Sequence, residues 1–427
     1  MSSDKVSWFG AGLSVAFYAV ALGSVATAQT RPGTVAPAAA ENYDPKGLPV
    51  GSFRLFPTLD LVEMYNDNIY ATGAKTGSFV SVIRPQLDLR SDWNNHMLNM
   101  LAYGAFGFYS ANAGENYQDF GVGFNGRVDI QRNWNLFGGA SIAGKHEERG
   151  SANAAFGGDA TRYLQTSANL GYYQKINRFS ARLEGAYQNY SFLNNKSLGT
   201  VGVVANNQDR DRNEFAESLR LGYEFIEKYE VWIQGGMNQR LYNNQFDISG
   251  IERNSFGWEI LGGATVDFGG ITQIEAFAGY REQSYRDGRL GSLRGATFGL
   301  SGIWNPIVPL YIKPYVKRTI EETVFSAFSG FWSTSVGIDV DYKIRPNVQM
   351  TAGASYTRNE YTRNATAAGL ASTDRNDNIL DLSIGVKYYP TENFYVGPVY
   401  QFTNRTSDFA GLNYDRHLIA LRGGVLF

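Results

Sequence analysis

From Phe53 to the final residue, apolar and polar side chains alternate one position at a time. Ala181, Leu183, Gly185 and Tyr187 oppose Ser180, Arg182, Glu184 and Gln188. Tyr229, Val231, Ile233, Gly235 and Met237 oppose Glu230, Gln234, Asn238 and Arg240. Val336, Ile338, Val340, Tyr342 and Ile344 oppose Ser335, Asp339, Asp341 and Lys343. Leu380, Leu382, Ile384, Val386 and Tyr388 oppose Asp381, Ser383 and Lys387. A strand sends successive side chains to opposite faces, so this period of two predicts strands with one greasy and one charged face. Tight connections fall at 93–95, 132–133, 176–178, 227–228, 269–270, 305–309, 345–347 and 390–393. Longer polar segments, such as 148–161, 194–213 and 362–376, lie between them. A soluble sandwich has no reason to alternate short and long connections, whereas a membrane barrel has short turns at one end and long loops at the other. Eight turns and nine loops give eighteen strands. Residues 110–116 are weakly marked, so the count spans about 16–18. The expected fold is all-β: a transmembrane antiparallel up-and-down β-barrel over residues 51–427.

The other segments change this picture little. Residues 1–28 read as a secretory signal: Lys5, then an apolar run, then Ala26-Thr27-Ala28 at the cleavage site. An uncleaved anchor fits less well, because Gly10, Gly12 and Ser14 interrupt the run. Residues 29–50, rich in Pro, Ala and Gly, are expected to be a flexible periplasmic leader too short to plug a barrel. No later apolar stretch is long enough for a membrane helix. Gly 48, Tyr 27 and Phe 27 beside only 18% charged residues and a mean hydropathy of -0.28 suit strands that touch lipid at alternate positions. Rings near strand ends (Phe106, Phe108, Tyr172, Tyr173, Tyr388, Tyr389, Phe394 and Tyr395) are expected to form interfacial girdles. With Cys 0 there is no disulfide or thiolate metal site, and a net charge of -2 gives no footprint for nucleic acid.

The charged faces carry the candidate chemistry. By alternation the lumen set comprises Arg84, Asp88, Arg90, Arg127, Asp129, Lys175, Arg182, Glu184, Arg220, Glu224, Arg240, Glu259, Glu275, Arg281, Lys313, Tyr315, Lys317, Glu321, Asp339, Asp341, Lys343, Asp381, Lys387, Arg405 and Arg422. Signs are mixed, so strong ion selectivity is not expected. Charges out of bulk water must be hydrated or paired. A bore of this strand number is expected to be open unless a loop folds inward. Tyr103, Trp232, Phe277, Tyr311, Tyr315 and Tyr395 share that face and would suit either sugar stacking or wall filling. His96 follows a turn, while His146 and His417 fall near the outer rim, with His417 assigned to the lumen face. The chain has no nucleophile elbow, zinc helix or phosphate loop, and no enzyme, cofactor or metal is expected. Residues 209–213 and 374–378 begin like calcium loops but lack the following Gly and the distal Glu. They read as solvated loop ends whose arginines meet lipopolysaccharide phosphates.

The last stretch, 413–427, places Ile419, Leu421, Gly423, Val425 and Phe427 on one face and Leu418, Ala420, Arg422 and Gly424 on the other. It resembles the closing strand of Gram-negative outer-membrane barrels, in which Val425 and Phe427 would serve as the assembly signal. Arg422 stands where that pattern usually has Gly. Further upstream, Gly47, Gly51, Phe53, Leu55 and Pro57 lead to Tyr65 and Asp67-Asn68. This block, with Arg84-Pro85, the run Ser91-Asp92-Trp93-Asn94-Asn95-His96, and His146-Glu147-Glu148-Arg149-Gly150, resembles the putative β-barrel porin 2 family. That resemblance implies a Gram-negative outer-membrane barrel, often associated with exopolysaccharide export. The leading expectation is therefore a channel for hydrophilic solutes, with secreted polysaccharide as the cargo. A general or nutrient porin, or a structural or adhesive barrel with a closed lumen, is the alternative. Expected partners are membrane lipid and lipopolysaccharide, the assembly machinery, and polysaccharide with periplasmic export components.

Overall fold

The computed structural model describes residues 45–153, 158–196, 204–269, 272–323, 325, 327–363 and 375–427. The leader through residue 44, including the expected signal segment, lies outside them. Eighteen long strands dominate the fold. The first six are β1 (Phe53–Asn66), β2 (Ser78–Ser91), β3 (Met97–Tyr109), β4 (Tyr117–Gln131), β5 (Trp134–His146) and β6 (Arg162–Ile176). Next come β7 (Phe179–Phe192), β8 (Arg212–Ile226), β9 (Tyr229–Tyr242), β10 (Ser255–Asp267), β11 (Thr272–Tyr285) and β12 (Leu293–Ile307). The last six are β13 (Leu310–Glu321), β14 (Phe328–Arg345), β15 (Val348–Arg363), β16 (Asn376–Thr391), β17 (Phe394–Ser407) and β18 (Tyr414–Leu426).

Each strand pairs antiparallel with the next, and β1 pairs with β18 from Thr58↔Leu426 to Asn66↔Leu418, which closes the ring. Closure leaves none of these eighteen strands at an open edge, the condition for a sheet to stand in lipid. A short strand, Leu48–Val50, pairs with β1 at Phe53–Leu55 and fills the edge beyond the point where β18 stops. The last residues of the expected flexible leader are thus part of the sheet. Gly51, with φ 59, makes the reversal into β1. A side chain there would be strained, since only glycine takes that conformation freely.

Side-chain parity divides the wall into two faces. Leu59, Leu61 and Tyr65 on β1, Phe120, Val122 and Val128 on β4, and Leu219 and Leu221 on β8 are exposed outward. The opposite parity turns into the bore. Several inward rings lie over a cross-strand glycine: Tyr103 over Gly121, Phe137 over Gly171, Trp232 over Gly263, Phe277 over Gly299 and Tyr315 over Gly337. A Cβ at any of these glycines would meet the ring at 2.1–2.6 Å. Aromatics therefore cover bare backbone rather than standing into the lumen, which accounts for part of the abundance of both residue types.

Nine longer connections lie at one end of the barrel and eight short turns at the other, with both described chain ends at the turn end. The loop end is the packed one. Val62, Met64, Val80, Val82 and Ala420 form an inward apolar cluster beneath it.

Candidate functional site, a bar across the loop-end mouth

Residues 147–153, the described first part of the connection from β5 to β6, leave one wall and reach the opposite one. In a ring of eighteen strands, β14 lies nine strands from β5, half the circumference. The home anchors come first. Glu147 N–H donates to Thr161 O at 2.7 Å, and the Glu147 carboxylate takes both terminal nitrogens of Arg210, one at 3.0 Å. Arg149 grips Glu115 through two bonds of 2.9 and 2.6 Å. Both pairs are largely buried, and paired parallel bonds fix orientation as well as energy. His146, at the base, lies 2.9 Å from the Asp119 carboxylate and stacks on Tyr117 at 4.0 Å.

Gly150 then turns with φ 85. A Cβ there would meet Tyr414 Oη at 2.5 Å and Ala71 Cβ at 2.8 Å, so the residue has to be glycine on two counts. Its carbonyl accepts from Arg405 Nη1 of β17 at 3.1 Å. The Ala152 carbonyl accepts from Arg375 Nη2 at 3.4 Å and from Tyr361 Oη of β15 at 3.5 Å. Asn153 Nδ2 donates to Glu322 O, just past β13, at 3.0 Å. Ala152 rests on Phe328, Phe331 and Tyr361. Four elements of the far wall thus hold a segment rooted in the near one.

The far-wall anchor is itself an ion triad. Asp377 is wholly buried and accepts from Arg375 at 2.8 Å and Arg405 at 2.6 Å. Arg375 also lies over the rings of Tyr361 at 4.0 Å and Phe325 at 4.5 Å. Beside it Arg240 pairs with Glu322, which also accepts from Tyr242 Oη at 3.2 Å.

Glu148 lies 3.6 Å from His146 Nε2. Burial pushes its carboxyl up, but the His146 hydrogen bond and the positive charges of His146, Arg416 and Arg84 hold it below the usual range. Asp287, in the β11–β12 loop, is likewise held low by the Arg289 side chain.

Parity puts Arg84, Asp88 and Arg90 (β2), Arg127 and Asp129 (β4), Arg182 and Glu184 (β7), and Arg220 and Glu224 (β8) on the inward face. Arg240 (β9), Glu275 and Arg281 (β11), and Lys313, Tyr315 and Lys317 (β13) share it, as do Asp339, Asp341 and Lys343 (β14), Asp381 and Lys387 (β16) and Arg405 (β17). Many are consumed in pairs two residues apart on one strand: Arg90 with Asp88 at 2.9 Å, Arg127 with Asp129 at 2.8 Å, Arg182 with Glu184 at 2.9 Å. Others pair across strands, as Arg220 does with Glu275 at 3.2 Å and Lys313 with Asp341 at 2.6 Å. Asp381 accepts from Thr403 at 2.7 Å. Lys387 lies 4.8 Å from the Tyr395 ring, and Lys317 is exposed to the bore. Trp232 and Tyr395 are buried under Arg220 and Arg422, so neither offers a free ring face to a sugar.

Two expectations need correction. His417 has the parity of Ile419 and points outward, its ring tilted against Phe402 with centroids 4.9 Å apart. Arg210 and Arg375 do not reach toward lipid headgroups: both are buried, turned inward onto carboxylates and the bar. The reason is that their carboxylate partners, Glu147 and Asp377, lie at the mouth, where an unpaired carboxylate would be costly. Asp374 lies outside the described residues. Among the described residues, Asp67, Asp415 and His417 approach one another as metal ligands would, but Lys75 Nζ already sits on both carboxylates, 2.8 Å from Asp67. The bar was not recognised from sequence, although residues 146–150, quoted above for their family likeness, form its base. The signal was that motif, which ends on Gly150.

A family model described as Putative beta-barrel porin 2 matches residues 41–423. No curated protein matches. Among solved structures, the chain is similar to Pseudomonas aeruginosa OccK3 (OpdO) at 15% identity, covering 87% of this chain and 96% of that one, with a TM-score of 0.44. For the outer membrane protein opdK of the same organism the values are 12%, 87%, 99% and 0.46. For a mutant of its ferric enterobactin receptor PfeA they are 8%, 87%, 80% and 0.44.

Proposed function

The chain belongs to the putative beta-barrel porin 2 family, and from that premise we propose that it is a diffusion channel for small hydrophilic solutes, narrowed at its outer mouth by the bar of residues 147–153. Its place is the Gram-negative outer membrane. The observation that carries the size limit is the tether itself: Gly150, Ala152 and Asn153 bonded to the wall opposite their origin. The wall around the bore is charged with both signs and internally paired, so it wets the path without a strong preference for either ion.

Passage of a secreted polysaccharide is the second reading. It is favoured by a hydroxyl-lined sector of β14–β17, where Ser335, Ser355, Ser383 and Thr403 face inward beside Tyr315 of β13. A polymer in transit requires the bar to be swung aside for as long as the chain is moving, with periplasmic export components to drive it.

Planar-bilayer conductance of the wild type and of a form with residues 149–159 replaced by a short Gly-Ser linker tests the proposal. A small wild-type conductance that rises several-fold in the shortened form is expected. No conductance in either form overturns the channel reading and leaves a structural or adhesive barrel. Loss of secreted polymer on deleting the gene would favour the polysaccharide cargo.

A further inference from the structure

We propose that Arg375 and Arg405 form a recognition site for a small anionic solute, a carboxylate or a phosphate, and that filling this site frees the bar. The inference rests on the channel reading given above. Two guanidinium groups, 1% and 3% exposed as residues, face one carboxylate, Asp377. Among the described residues no other carboxylate contacts either of them, so the described contacts set two buried guanidinium groups on one carboxylate. Their further acceptors are weak. The Gly150 carbonyl takes one donor of Arg405 at 3.1 Å, and the Ala152 carbonyl takes one of Arg375 at 3.4 Å. Arg405 Nε has no partner among the described residues. Two ring faces cover Arg375.

A neutral carbonyl is a poor match for a guanidinium. An anionic oxygen makes a hydrogen bond roughly twice as strong and brings a negative charge of its own. The acceptors that a carboxylate or phosphate would displace are two of the groups that fasten the bar to the far wall, and what then remains there is the Asn153 bond to Glu322 O and the packing of Ala152, both of which must yield as the segment moves. The home anchors, Arg149 with Glu115 and Arg210 with Glu147, do not involve this triad and would stay, so the segment would swing from its root. The site would therefore admit the solute that unlocks it. A neutral solute of the same size gains nothing from Arg405.

The test uses the full barrel in detergent at low ionic strength, with citrate and inorganic phosphate as probes and glycerol as the neutral control. Calorimetry is expected to detect citrate and phosphate binding to the wild type. Arg405→Gln should weaken that binding at least tenfold, while Arg358→Gln, on the outward face of β15, should leave it unchanged. Because the chain has no cysteine, Ala152→Cys supplies a single reporter. Its labelling by a water-soluble maleimide should speed up several-fold with citrate and not with glycerol. No binding to the wild type, equal binding by Arg405→Gln in protein that keeps its heat-modifiable migration, or a labelling rate indifferent to citrate each overturns the proposal. Conductance of the shortened form is read separately, so a failed anion site is distinguishable from a failed channel.

Discussion

Asp377 and Asp88 are both aspartates paired with arginine on the inner wall, yet they differ in what their loss costs. Asp377 holds together two buried guanidinium groups, whereas the Asp88 and Arg90 side chains are 18% and 19% exposed. Removing one partner of a buried pair strands a charge, costing about 3–5 kcal/mol, but a wetter pair contributes about 1 kcal/mol or less. Asp377→Ala should therefore lower the urea midpoint of the folded barrel far more than Asp88→Ala, and equal shifts would refute the triad as a structural anchor. Glu148 makes a pH-dependent contribution. Against its burial, which raises it, the His146 bond and the neighbouring positive charges depress its folded pKa. Its stabilisation of the bar is therefore complete above the ordinary carboxylate value and is lost as pH falls through the folded one. Maleimide labelling of the Ala152→Cys variant should be flat from about pH 7 to about pH 5, once corrected for the thiol's own titration, and accelerate only below that. Adding Glu148→Gln should abolish the acid step.

The strands obey parity more strictly than they obey residue identity. Ile260, 62% exposed on the outer face of β10, and Ser355, inward on β15, both sit near mid-strand in one sheet. Arginine at position 260 must enter lipid, at a cost of about 2–4 kcal/mol near the midplane. At position 355 the same side chain meets water and carboxylates. Ile260→Arg should sharply reduce the fraction refolding into detergent micelles, and Ser355→Arg should not. The reverse order would mean that the faces are assigned the wrong way round. Alternation also explains the same-strand ion pairs: residues two apart share a face, so Asp88-x-Arg90, Arg127-x-Asp129 and Arg182-x-Glu184 pair with no help from the fold.

For the molecule as a whole, closure is the decisive event, and it occurs at the β1–β18 seam. Phe427 contributes little to it in bonds: its N–H donates to Pro57 O at 3.3 Å, and its ring is exposed. If Val425 and Phe427 act as the assembly signal, deleting Phe427 should cut the amount of barrel assembled in cells several-fold. The unfolding midpoint of the barrels that do form should barely move. A parallel fall in both would assign the residue to stability instead.

Strand identity, strand number and the inward or outward aspect of almost every named side chain were legible in the sequence, because period-two patterning and alternating connection lengths are local properties. His417 was the exception, placed on the wrong face by a slip of one in parity. The bar was not legible as a bar. Residues 146–150 and 375–377 are separated by over two hundred positions, and nothing local says that Gly150 will meet Arg405 or that Arg375 will cover Ala152. Those contacts exist because ring closure sets β14–β17 across the mouth from β5. A circle has diameters, which the chain, read in order, does not display.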